Sequence, residues 1–398
     1  MLSNESIQTV IEDKGGMVRE LSNTNIHGGR VNAHPMYYFT GHGDDISREV
    51  NHEFYHDANL LYTLGGNFFC FPNFGPESTL DGVHFPPHGF TANGTWNIVK
   101  YGTDGDVGAL WLLSVMKGTA PYAYTAYKID MILPNHPVLY SSVTIENNQA
   151  TDILTNAAWH NTAGPPFLES GCVINLCADR FSTVPGGSEF DTTGRLAVGQ
   201  EFDDLSKAPL RSGGTCDLRT VTGMIGYSDF ITGAVPSKSA LGWASVINPA
   251  QQMVYFTFFP GPSALGEDEI PLRYNNLWMQ YGGRTFNPWA LYEGGADQTF
   301  CLGLENSTGF YANGIEKAVQ AKTLLDVETT VTIPAGKRRV QRYGTALTSY
   351  DQGKMSSGIA SVEQVVEGIV LKRGKSWAFI ESDSTFHFLK EMEKKLIP

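Results

Sequence analysis

Three residues of this chain have the chemistry and the setting for proton transfer. His88 stands in Pro86-Pro87-His88-Gly89-Phe90, within a run of thirty-three residues, 65–97, that holds six glycines and four prolines. A histidine on a backbone this constrained is positioned, as binding loops require. His160 follows an apolar run, 153–159, where sheet pairing is expected to give way to a cleft. Glu305 closes Phe300-Cys301-Leu302-Gly303-Leu304. A carboxylate in that place would be partly desolvated, which moves its pKa toward the range of a general base. A different chemistry is written at His52-Glu53-Phe54-Tyr55-His56, a literal HExxH. On a helix its histidines would ligate zinc and its glutamate would activate water. Its context argues against a helix: Asn51 and Asp57 are weak helix formers, Gly65-Gly66 soon follows, and no third ligand stands out. His84 and His88 are spaced i, i+4, but Pro86 and Pro87 between them exclude a helix.

The elements that must carry these residues are strands. Short apolar runs at 17–21, 109–115, 138–145, 253–259, 300–304 and 329–333 alternate with turn clusters such as Pro134-Asn135, Asn147-Asn148 and Pro185-Gly186-Gly187. Regular short strands with few amphipathic stretches predict a large antiparallel β-sandwich, mainly β, over 1–350. The tail, 351–398, reads as a short α/β appendage. Spacing in 361–367 is helical, 368–372 and 376–381 form a strand pair, and Ser384 is placed to cap a final helix. About 45 residues rarely build an independent core. The segment 274–283 reads as a strand with one wet face, or as a ligand-facing surface offering Trp278 and Tyr281 as flat rings and Asn276 and Gln280 as hydrogen-bonding groups.

Composition narrows the partners. The formal net charge of −13 argues against nucleic acid or an anionic membrane. The first sixteen residues lack the basic and apolar regions of a signal peptide, and no run of about 18 apolar residues could span a bilayer. Cys70, Cys172, Cys177, Cys216 and Cys301 are odd in number and scattered, which suits reduced thiols in a cytoplasmic protein.

The run 65–97 resembles the galactose mutarotase-like (aldose 1-epimerase / hexose-6-phosphate epimerase) superfamily. Shared are Gly65-Gly66, the Cys70, Pro72 and Phe74-Gly75 spacing, the His88-Gly89-Phe90 triplet and Trp96. Two shorter stretches add to it: 142–166, with Val143, Asn147 and His160 at matching places, and 300–309, with Glu305. The resemblance implies a β-supersandwich and an epimerase or mutarotase that interconverts sugar anomers through ring opening. It implies His88, His160 and Glu305 as catalytic residues, with Glu305 as base, His160 as acid to the ring oxygen and His88 holding the substrate. Asn73, Asn93, Trp278 and Gln280 become substrate contacts, and no metal or cofactor is required. Where relatives carry an arginine two residues after the triplet, this chain has Ala92, and Leu64 precedes Gly65. Loss of these guanidinium forks speaks against a phosphorylated hexose, with Arg273 and Arg284 as potential substitutes. The sequence therefore predicts a small-molecule sugar or sugar derivative as partner and leaves a homodimer open. The alternatives are a carbohydrate-binding or sensor protein of the same fold and a zinc hydrolase using His52, Glu53 and His56.

Overall fold

A computed structural model describes residues 1–24, 30–34, 60, 64–186, 194–283, 300–350 and 355–398. Two antiparallel sheets dominate it. The larger, of eleven strands, has at its centre Asn67–Cys70, Ala157–Ala163, Phe300–Thr308, Tyr274–Tyr281 and Tyr227–Ala234, in that spatial order. The second has eight strands and ends, after Val138–Asn147, Tyr124–Ile132 and Leu110–Lys117, on the edge strand Asn97–Thr103. Side chains alternate between faces along a strand, so each central strand of the large sheet sends every second residue into the space between the sheets. Trp159, Ile145, Val143 and Tyr343 pack there, as do Leu277, Leu302, Leu304 and Tyr255. The architecture is the mainly β sandwich expected.

Polar side chains also fill this interior, and several bond to one another. Trp159 Nε1 donates to Gln341 Oε1, and the hydroxyls of Tyr255 and Tyr343 donate to Asn161 and Asn306. Asn306 also accepts from Thr257 at 3.3 Å and donates to Asn275 Oδ1 at 2.5 Å. This layer corrects two element boundaries. His160 does not end its strand but sits in the middle of Ala157–Ala163, and Glu305 sits within Phe300–Thr308 rather than past it. The sequences Asn161-Thr162 and Asn306-Ser307-Thr308 look like turns only while their buried partners are unknown; once bonded, they continue the ladder.

The tail forms a three-stranded sheet, Ser361–Val365, Gly368–Arg373 and Ser376–Glu381, followed by the helix His387–Leu396. Ile369, Leu371, Ile380, Phe386, Leu389 and Met392 pack on the outer face of the eight-stranded sheet. Helical spacing in 361–367 is overruled: Val362 and Val365 prefer the strand that pairs with Gly368–Arg373. The helix is capped by Asp383, whose Oδ2 accepts from Phe388 N at 2.8 Å, and not by Ser384. Among the described residues no helix is long and apolar enough to cross a membrane.

Candidate functional site

The face of the large sheet turned away from the sandwich carries the candidate residues in adjoining rows. Register pairs Phe68 with His160 and Asn276 with Glu305. The pairs Trp159 with Asn306 and Thr162 with Gly303 set His160 directly opposite Glu305. His160 Nε2 lies 3.1 Å from Glu305 Oε1, with both side chains buried. Phe68 stacks on the His160 ring at a centroid distance of 4.6 Å, and Trp278 approaches it edge-on at 5.7 Å. Gly303 makes that approach feasible, because a Cβ there would lie 2.9 Å from Trp278 Cβ.

His88 reaches the same place from the loop after Asn67–Cys70. Its ring packs edge-on against His160 at 4.8 Å and against Phe68 at 5.9 Å. The loop is pinned from several sides. His88 has φ of 57° and its N–H donates to Gly75 O at 2.8 Å. Gly89, at φ of 78°, comes so close to Phe71 that a Cβ would meet its carbonyl oxygen at 2.4 Å, so only glycine fits. Thr91 Oγ1 donates to Phe69 O at 2.6 Å and Trp96 Nε1 to Thr91 O at 2.9 Å.

Asn73 and Asn93 serve this loop. Asn73 donates to Pro76 O and Pro86 O and accepts from Ile315 N, while Asn93 donates to Pro87 O and Gly89 O and accepts from Leu60 N. Their amides are thus committed to holding His88 in place rather than turned toward a ligand. Trp278 and Gln280 lie two apart on Tyr274–Tyr281, a strand buried along its whole length with no wet face. Arg273 does not compensate for the missing arginines. It donates to Thr330 O at 2.8 Å and pairs with Glu328 at 2.8 Å, lining a separate cleft of about 1050 Å³. Arg284 and the His52, Glu53, His56 motif lie outside the described residues. Among the described residues no group of three or more His, Cys, Asp or Glu is arranged to hold a metal ion.

Burial sets the proton chemistry. Desolvation brings the His160 imidazolium down to about 4 and pushes His88 well below its ordinary value, with His160 as a second cause. Both rings are therefore neutral at pH 7. Thr162 Oγ1 lies 3.3 Å from His160 Nδ1. With Nδ1 accepting from this hydroxyl, we assign the His160 proton to Nε2, where it donates to Glu305. Burial, and then the Glu305 charge, hold the Cys70 thiol well above its ordinary value. Its Sγ lies 3.7 Å from His88 Nδ1, and a thiol that keeps its proton donates there, leaving Nε2 as the N–H of His88. Phe68, Cys70 and Thr162 escaped the sequence reading. Counting in twos from His160 and from its paired strand would have found all three.

No protein-family model matches this chain, and no curated protein matches it. Solved structures do. A candidate aldose 1-epimerase from Klebsiella pneumoniae subsp. pneumoniae MGH 78578 superposes with a TM-score of 0.61 at 14% identity, over 87% of this chain and 77% of that one. A galactose mutarotase-like protein from Clostridium acetobutylicum gives 0.56 at 13% identity, over 88% and 94%. A candidate aldose 1-epimerase from Escherichia coli K12 gives 0.53 at 13% identity, over 88% and 98%. At such identities the likeness is one of fold: the chain has the galactose mutarotase-like fold.

Proposed function

We propose that this protein interconverts the anomers of a free sugar by general acid–base catalysis. The observation that carries the reading is the 3.1 Å contact between His160 Nε2 and Glu305 Oε1 beside His88, walled by Phe68 and Trp278. A sugar whose C1 hydroxyl and ring oxygen enter between the two groups meets an acceptor and a donor together. Glu305 takes the proton from the C1 hydroxyl as the bond from C1 to the ring oxygen breaks, and His160 Nε2 gives a proton to that oxygen. The aldehyde turns about its bond to C2 and the steps reverse. On closure the hydroxyl formed from the ring oxygen gives its proton back to His160 and Glu305 gives its own to the aldehyde oxygen, so both groups end as they began. His88, with Nε2–H free to donate, steadies the developing charge on the ring oxygen. Trp278 and Phe68 exclude water and offer apolar faces to the ring. Each acid–base term supplies roughly 10²–10⁴ in rate, which is enough for this reaction without a cofactor.

A second reading has the site bind carbohydrate without catalysis. It is favoured by Ala92 in place of the guanidinium and by the withdrawal of Arg273 to another cleft. Exchange of anomers followed by NMR over free aldoses, uronates and hexose phosphates separates the two. Acceleration that vanishes in Glu305→Gln supports the enzyme. Line broadening without acceleration supports the binding protein and overturns the first reading.

A further inference from the structure

The eight-stranded sheet ends on Asn97–Thr103, and the exposure of that strand is unlike that of any other long strand in the sandwich. Six of its seven residues are exposed and Gly102 is half-buried. Ile98 is 53% exposed, Val99 51% and Tyr101 81%. Its one partner is Leu110–Lys117; the opposite edge pairs with no strand among the described residues. An apolar edge of this length is a template for strand addition. A bulge between Ile98 and Lys100 puts Ile98 opposite Ser114 and Tyr101 opposite Leu112. Ser114 and Leu112 alternate with Leu113, which packs under the tail. Ile98 and Tyr101 therefore share the other face, three residues apart.

The two ends of this edge are opposite in charge. Lys14 bridges to Thr95, to which its Nζ donates at 2.7 Å, and Trp96 N donates to Asp13 O. Residues 13–15 thus occupy the edge line before Asn97, with Lys14 and the exposed Lys117 as cations and Asp13 as their counter-charge. At the far end stand Asp104, held to Lys395 at 2.7 Å, and the exposed Asp106. A groove of about 430 Å³, lined by Thr95, Asn97, Val99, Val115, Met116 and Lys117, opens at the basic end.

We propose that this edge docks a second copy of the chain, strand Asn97–Thr103 against its own two-fold mate. An isologous contact requires a self-complementary surface, and a strand basic at one end, acidic at the other and apolar between meets that requirement when run antiparallel to itself. Pairing Ile98 with Tyr101 of the mate, and the reverse, keeps both on one face and keeps Lys100 off its copy. In that register the acidic turn of each chain, Asp104 to Asp106, arrives at Lys14 of the other.

Sedimentation velocity over a concentration series tests this. The wild type is expected to be a dimer, and Ile98→Glu with Tyr101→Glu a monomer with unchanged circular dichroism and thermal midpoint. Lys14→Glu and Asp106→Lys should each weaken dimerisation about tenfold, the scale of one close charge pair across an interface. The double variant carrying both changes should recover most of that loss. A wild type monomeric at about 100 µM, where even a weak contact with Kd of ~10 µM would be populated, overturns the proposal. So does a dimer that survives Ile98→Glu with Tyr101→Glu, or charge variants whose effects simply add.

Discussion

The two faces of the large sheet use the same strands for opposite ends. Toward the sandwich, Trp159, Asn161, Asn275 and Asn306 face Gln341, Tyr255, Tyr343 and Thr257, and the polar atoms that meet there bond to one another. On the reverse face, one residue along, His160 and Glu305 meet among Phe68, Trp278 and His88, and Thr232, Asn276 and Ser307 form a short hydrogen-bonded row beside them. Hydrogen bonds in a low-dielectric interior stiffen the first face. Groups kept apart from water but able to exchange a proton give the second its chemistry. The bonded layer behind the sheet thus supports the geometry in front of it.

That contrast can be broken from either side. The largest effect is expected on the reactive face: Glu305→Gln should lower kcat for anomer exchange roughly 10²–10⁴-fold and leave sugar binding and the melting temperature nearly intact. His160→Asn should do the same, and the pair together should cost little more than either, since they act as a unit. On the interior face the outcome reverses. Asn306→Leu strands the hydroxyls of Tyr343 and Thr257 and the amide oxygen of Asn275. It should cost about 2–4 kcal/mol in urea unfolding, with any activity left in the folded fraction.

Acidification probes both faces at once. Burial brings His34, like His160, to about 4. In the unfolded chain these rings titrate near 6.5, so between about 6.5 and 4 the unfolded state binds more protons than the native one. Stability should therefore be full above pH 6.5 and decline as pH falls toward 4, by about 3 kcal/mol or less per histidine. Unfolding midpoints measured at pH 7 and 4.5 check this, and His34→Gln and His160→Gln should each flatten the decline. The smallest effect concerns tautomer control. Thr162→Val removes the hydroxyl 3.3 Å from His160 Nδ1 and should slow exchange about tenfold or less, the scale of one neutral hydrogen bond. It should also alter the pH profile, whereas a merely structural threonine would leave that profile unmoved.

Much of this protein is legible one residue at a time. Strand rhythm, glycine and proline placement and low charge density point to the sandwich because local backbone preference and period-two burial act within a few residues. The positioned loop at Pro87-His88-Gly89 is of the same kind: its conformation is dictated by residues that tolerate few others. Other features depended on distant partners. Whether Asn161 and Asn306 make turns or strands was decided by Tyr255, Tyr343 and Thr257, some 40 to 90 residues away in sequence. That Asn73 and Asn93 hold a loop follows only from the carbonyls that surround them. The sequence by itself determined the sandwich and the candidates His88, His160 and Glu305. Only the tertiary structure set the last two opposite one another at 3.1 Å, because register between strands 145 residues apart is a property of pairing, which no local pattern encodes.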